Sequence, residues 1–184
     1  IQLGSTSGQE LIKNLKADPF GNIYLAGRYF TSTLDLDPGP GIANLPNAPG
    51  GDIFILKLDS ATNFKWARAF NGNLYSDFAW DIDVDKQGNV LTIGQFRDTL
   101  DLDPSPSGTY LLTDPGHLRQ AFLSKLDSSG QFVWAGAIGG AGDDYGFSFT
   151  IDDSSNIYLT GHCISNSPLD LDPGPTRFEV TAAA

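Results

Sequence analysis

Methionine is absent from this 184-residue chain, cysteine occurs once, histidine twice, and acidic residues outnumber basic ones by 22 to 11. The single cysteine, Cys163, excludes an internal disulfide framework and any cysteine-based zinc site. A net charge of −11 repels a phosphate backbone, so nucleic acid is not an expected partner, and anionic membrane surfaces are disfavoured for the same reason. Solubility is the simplest account of the acid. No apolar run approaches the roughly 20 residues of a membrane-spanning helix, so membrane insertion is not expected. A signal-peptide pattern is also missing, as is a methionine at position 1, and the expectation is an internal piece or a processed product of something longer. Helical periodicity is absent throughout, which leaves strands and turns.

What the chain does contain is repetition. Gly21-Asn22-Ile23-Tyr24 returns as Gly88-Asn89-Val90-Leu91 and as Ser155-Asn156-Ile157-Tyr158, shifted by 67 residues each time. LDLDP occurs at Leu34 to Pro38, Leu100 to Pro104 and Leu169 to Pro173, and KLDS at Lys57 to Ser60 and Lys125 to Ser128. A fixed period of this length means one supersecondary unit stacked several times. The 184 residues hold about 2.7 such units, in phases of approximately 1–70, 71–138 and 139–184, the last incomplete.

Within the middle unit, Trp80 to Asp85 alternates apolar and acidic residues, the period-2 pattern of a strand with one wet face. The turn residues Lys86 to Asn89 precede a returning strand at Val90 to Gly94. Strands follow at Ala121 to Leu126 and Phe132 to Ile138, with Asp127 to Gly130 between them. Four antiparallel strands, a to d in order, therefore make the unit. The same slots are filled by Leu11 to Ala17, Ile23 to Ala26, Ile53 to Leu58 and Phe64 to Phe70 in the first copy, and by Phe147 to Ile151 and Ile157 to Thr160 in the third. A lone four-stranded sheet has two exposed edges, and radial repetition of such sheets is the usual remedy. The fold expected is all-β, a β-propeller built of four-stranded antiparallel blades, with 1–184 as one propeller segment. Both ends fall inside blades, and a ring needs about four blades or more, so the remaining blades are expected elsewhere in a parent chain.

The pattern VDxxGNVYxxG followed by DIFILKLDSxGxFxWAxxxGG resembles the SBBP-type β-propeller repeats of large secreted proteins of Bacteroidota, and more distantly NHL-type blades. LDLDPGPG resembles the DFDPG element of many such repeats. The resemblance covers essentially the whole chain and speaks to architecture more than to ligand. It implies a secreted or cell-surface protein, commonly exported by the type 9 pathway through a C-terminal signal; no such signal is visible here. It further implies a non-enzymatic structural, adhesive or interaction module whose partners, besides the remaining blades, are other surface proteins or glycans. Carbohydrate binding is the first alternative, and a propeller-type hydrolase or lyase the second.

Chemistry-bearing patterns are sparse. The paired acids Asp35 and Asp37, Asp101 and Asp103, and Asp170 and Asp172 stand at i and i+2 before Pro, as carboxylates do at the opening of a calcium loop. No third carboxylate follows at EF-hand spacing, and tight turns with aspartates capping amides are the alternative reading. Ca²⁺ is the only cofactor to which any residues point. His117 lies in an irregular stretch, and His162 fills the slot of Arg28 and Gln95, a solvent-facing position. Cys163 fills the slot of Tyr29 and Phe96, that of a small buried apolar residue; adjacent Cys and His point to opposite strand faces and make no dyad. No catalytic pair of carboxylates stands out. Gly139 to Gly142 has no helix to cradle phosphate. Trp66, Trp80 and Trp134 are expected to pack between blades. The b–c and d–a connections, with Glu10, Asp77, Asp143 and Asp144, are expected on one face of the disc.

Overall fold

In a computed structural model, described for residues 10–30, 34–46, 48, 50–73, 75–114, 116, 118–164, 168–174, 176 and 178–180, every regular element is a strand. The first blade comprises β1 (Leu11–Ala17), β2 (Ile23–Tyr29), β3 (Asp52–Leu58) and β4 (Phe64–Gly72), hydrogen-bonded antiparallel in that order. The second comprises β5 (Phe78–Val84), β6 (Val90–Arg97), β9 (Arg119–Leu126) and β10 (Phe132–Ile138), with β7 (Thr99–Asp101) and β8 (Leu111–Thr113) as a hairpin between β6 and β9. The third contributes β11 (Asp143–Ile151), β12 (Ile157–Ile164) and a small hairpin of β13 (Leu169–Asp170) and β14 (Glu179–Val180). Ile23 pairs with Leu58 and Val90 with Leu126, so strands b and c keep one register in both complete blades.

Local chemistry explains the turns. In Asp85-Lys-Gln-Gly-Asn89, Asp85 Oδ1 accepts the N–H groups of Gln87 and Asn89 at 3.0 and 2.9 Å, and Oδ2 accepts the Asn89 amide at 2.8 Å. The same five-residue frame starts at Asp18, Asp59, Asp127 and Asp152. Its fourth residue takes a left-handed conformation each time: Gly21, Thr62, Gly88, Gly130 and Ser155, with φ of 80°, 67°, 80°, 77° and 67°. Glycine adopts that conformation without the side-chain clash that threonine and serine incur there. Strand a also repeats a bulge. The ladder skips Lys13, Trp80 and Phe147, which are 67 residues apart.

Blades pack face to face through apolar layers. Tyr24, Ile53, Ile55, Trp66 and Phe70 of the first blade meet Ile82, Phe96, Phe122 and Leu126 of the second. Leu91, Ile93 and Leu123 of the second meet Phe149 of the third. Two expectations need correction. Strand a of the second blade starts at Phe78 rather than Trp80, and its acidic side is not wet: Asp81, Asp83 and Asp85 are buried because neighbouring strands cover them. The first two LDLDP stretches, in the b–c connections, are not surface segments either, whereas Leu171 of the third is 38% exposed. Leu34, Leu36, Leu100 and Leu102 are at most 1% exposed, since L-D-L-D is itself a period-2 strand pattern whose leucines turn inward.

Candidate functional site

The LDLDP elements form short hairpins, and each holds its own aspartates in the same way. Asp101 Oδ1 accepts the N–H groups of Asp103 and Tyr110 at 3.1 and 2.9 Å, and Asp103 Oδ1 accepts that of Ser105 at 3.0 Å. Asp35 receives Asp37 and Ala43 at 3.0 and 2.9 Å, and Asp37 receives Gly39 at 2.7 Å. Asp170 receives Asp172 and Phe178 at 3.1 and 3.0 Å; Asp172 receives Gly174 at 2.8 Å and the Thr176 hydroxyl. Those two bonds, the hydroxyl foremost, hold the Asp172 carboxyl below the usual carboxylate range. Backbone amides thus offset the like-charge cost inherent in each pair. Among the described residues, no three His, Cys, Asp or Glu side chains are grouped to hold a metal ion. A Ca²⁺ ion at these elements would need about six oxygens, of which each pair supplies two carboxylates already engaged with amides.

The hairpins also reach across to the preceding blade. Asn71 and Gly72, at the end of β4, pair with Asp101 and Leu100 of β7. At the next junction Gly139 and Asp170 exchange backbone hydrogen bonds of 2.9 and 2.7 Å. The insertion of one blade therefore extends the outer strand of the blade before it.

A second set of contacts ties the strands a together, through residues that sequence reading assigned to solvent. Asp81 Oδ1 accepts the Asn14 amide, while Oδ2 accepts the Ser148 hydroxyl at 2.5 Å and the Phe149 N–H at 3.1 Å. Asp83 binds Lys16 at 2.9 Å on one side and the Ile151 N–H at 3.1 Å on the other. Asn14, Asp81 and Ser148 are successive copies of one repeat position. On the outer side, Arg68 Nε and Trp66 Nε1 donate to the carbonyls of Gly130 and Ser128 at 2.8 and 3.2 Å, clamping the next blade's c–d turn. Gly136 replaces Arg68 at the following junction, where an added Cβ would collide with the Pro173 carbonyl. A groove of about 460 Å³ lies beside it, lined by Tyr110, Trp134, Asp172, Pro173 and Gly174.

Two acids of the d–a connections are withdrawn from solvent, while Glu10 and Asp143 stay partly exposed. Asp77 and Asp144, equivalent by the repeat, are fully buried. Asp144 Oδ2 accepts the Gly140 N–H at 2.6 Å, so the glycine-rich stretch receives a carboxylate of its own chain. Burial pushes Asp77 up to about 8 and Asp52 up to about 6. His162 is exposed and stacks near Tyr145 at 6.3 Å, but its slot is not solvent-facing in the complete blades, where Gln95 is buried and Arg28 partly so. Cys163 is only half-buried, unlike Tyr29 and Phe96, because no third strand covers β12 among the described residues. Burial and then Asp144 push its thiol up to about 11, far from a reactive thiolate. His117 lies outside the described residues, as do Ala182 to Ala184. Trp66 is buried between blades as expected; Trp80 stacks on Phe78 at 5.3 Å and Trp134 packs at the margin of the second layer.

Comparison with known proteins agrees with this geometry. The family model described as "Beta-propeller repeat" (SBBP) matches residues 133–167. A protein named "Uncharacterized WD repeat-containing protein L264" from Acanthamoeba polyphaga mimivirus is 28% identical over 165 residues, covering 79% of this chain and 12% of its own length. The chain thus spans about an eighth of that relative. Strand order, repeat period and the match over one repeat together support a β-propeller fold.

Proposed function

We propose that this chain is a non-enzymatic interaction scaffold within a larger extracellular or cell-surface protein, presenting b–c hairpins along a rigid stack of blades. One observation carries the reading. The acidic side chains that could serve catalysis or metal binding are instead engaged with backbone amides within turns and hairpins, or with neighbouring blades, as at Asp81 and Asp101. A propeller repeat and a WD-repeat relative fit an interaction role. Secretion, an adhesive role, a Bacteroidota source and type 9 export rest on the sequence resemblance alone. The test has two parts. Antibody against the chain should label intact cells or culture supernatant, and the purified chain should release no product from a panel of polysaccharides and glycosides. Signal confined to lysed cells would remove the surface role, and reproducible product release would remove the non-enzymatic one.

Carbohydrate binding has one specific observation behind it. The groove at Tyr110, Trp134 and Asp172 combines aromatic faces with a carboxylate acceptor, the chemistry that recognises sugar rings. Retention on a glycan array that Trp134→Ala abolishes would favour it. For Asp35, Asp37, Asp101, Asp103, Asp170 and Asp172, the Ca²⁺ reading is a proposal with a direct readout: calorimetric titration with the ion alone.

A further inference from the structure

At the junction of the first two blades, two carboxylates are sequestered together. Asp52, which opens β3, is 2% exposed, and Asp77, which precedes β5, is fully buried. An added Cβ on Gly72 would collide with Asp77 Oδ2 and come within 3.4 Å of Asp52 Oδ1, so both carboxylates converge on one glycine. Asp52 Oδ1 accepts the Gly72 N–H at 3.1 Å and Asp77 Oδ1 the Arg97 N–H at 3.1 Å. Asp77 Oδ2 is buried and makes no hydrogen bond. Backbone contacts dock the connection onto the first blade: Asp77 donates its N–H to Gly51 O at 3.1 Å, and the Ser76 hydroxyl donates to Gly50 O at 3.1 Å.

One cation, Arg28, acts on both carboxylates, and for Asp77 its pull is smaller than the push of Asp52. From β2 come Arg28 and the Tyr29 hydroxyl, from β3 Asp52, and from β4 only the Gly72 backbone. From β6 comes the Arg97 N–H, while the guanidinium of Arg97 lies over the Tyr75 ring at 4.6 Å; Asp98 beyond it binds the Asn73 amide. Arg28 Nη2 is engaged with the Ser76 hydroxyl at 2.6 Å, and its guanidinium lies 4.0 and 4.4 Å from the Phe30 and Phe78 rings. The next junction offers an internal comparison. There the Asp52 position is Gln120, whose amide donates to Gly140 O and Gly142 O at 3.1 Å each, and Asp144 binds the Gly140 N–H. One junction has a single carboxylate beside a neutral amide position; the other has two carboxylates.

We propose that Asp52 and Asp77 form a proton-gated latch between the first two blades, closed while Asp77 keeps its proton and opened when that proton leaves to solvent. A carboxylate at this depth with one oxygen unbonded is strongly disfavoured, and Asp52 adds like-charge repulsion. The sign follows from linkage. A carboxyl with a raised folded pKa binds more protons folded than unfolded, so the latch is strongest below the unfolded value and weakens as pH rises towards about 8. The latch goes beyond the scaffold reading and stands whether or not that reading holds.

Carboxyl-carbon NMR of the 184-residue chain, run with amide exchange across pH 5 to 10, tests the latch. Asp77 should lose its proton near pH 8, and protection of the Asp77 and Arg97 amides should fall about tenfold or more beyond intrinsic exchange. The Asn156 amide, bonded to Asp152 at 2.9 Å in a turn of the third blade, serves as the internal control and should keep its protection. Asp77→Asn should flatten the profile. Asp52→Gln, which copies position 120, should lower the Asp77 midpoint by removing the like charge. An Asp77 midpoint near the ordinary value of 3.8 overturns the latch, as does parallel loss of protection at Asn156. If Asp77→Asn does not fold, the Asp77 titration and its response to Asp52→Gln decide the matter.

Discussion

Thr62 and Ser155 hold a left-handed conformation that glycine holds at positions 21, 88 and 130 of the same turn frame. A β-branched residue is strained there, so Thr62→Gly should raise stability by about 0.5–1 kcal/mol, and Ser155→Gly by somewhat less. Paired denaturant titrations check this, and a loss in both variants would show that unfolded-state entropy outweighs the strain. Asp81 is the opposite case. Its carboxylate accepts hydrogen bonds from the blades on either side, so Asp81→Ala orphans donors at two junctions, the buried Phe149 N–H among them. The expected loss is on the order of 3 kcal/mol, well above that of Asp153→Ala, whose ion pair with Lys86 lies in solvent. Sequence reading could place Asp81 in a strand but not on a face. The alternation of Trp80 to Asp85 is identical whether its acids meet water or the strand of the next blade, and the bulge at Trp80 shifts the facing besides.

The hairpin inserted between strands b and c is the element whose role the sequence hid. Its Asp-Pro ending reads as a turn, yet in the first two copies its Leu-Asp-Leu-Asp opening has buried leucines and amide-binding acids. Leu100→Ala should cost about 2–5 kcal/mol by cavity formation, an unusual penalty for a connection between strands. Asp101→Ala should cost about 1–3 kcal/mol by leaving the Asp103 and Tyr110 amides unbonded. Because amides already ligate these carboxylates, melting in excess chelator should match melting in its absence; a lower transition with chelator would instead support the Ca²⁺ proposal. At the junction clamp, Arg68→Gly mimics Gly136 and removes bonds to Gly130 O and Ser129 O. Separation of the first two blades should then precede global unfolding, as read by exchange at the Gly130 amide.

Across the molecule, stability should follow the stacking order. Strands β6 and β9 have blades on both faces and are mostly buried, whereas β1 and β12 are largely exposed. Native-state exchange should therefore be slowest in Ile93 and Leu123 and fastest in β1 and β12, with a difference of at least about 2 kcal/mol in opening free energy. Uniform protection across all strands would contradict nearest-neighbour stacking. Each blade adds contacts mainly with the one beside it, which is the energetic form of a repeat protein.

The sequence by itself determined the period, the four-strand unit, the turns and the all-β class, because these depend on local residue preference and on side-chain alternation within a few positions. Even the partners of Asp81 were implicit in the 67-residue interval, since radial stacking brings equivalent positions of successive copies together. What only the tertiary structure decided is which side of each strand is covered, where the hairpins lie, and which acids leave water. Asp52 and Gln120 occupy one repeat position and look interchangeable in a row of letters. Only the closeness of Asp77 to one, and of the Gly140 and Gly142 carbonyls to the other, sets them apart: the Gln120 amide donates to its neighbours, while Asp52 meets a like charge. Burial and charge proximity are properties of distance between chain segments, and distance is set by packing rather than by sequence order.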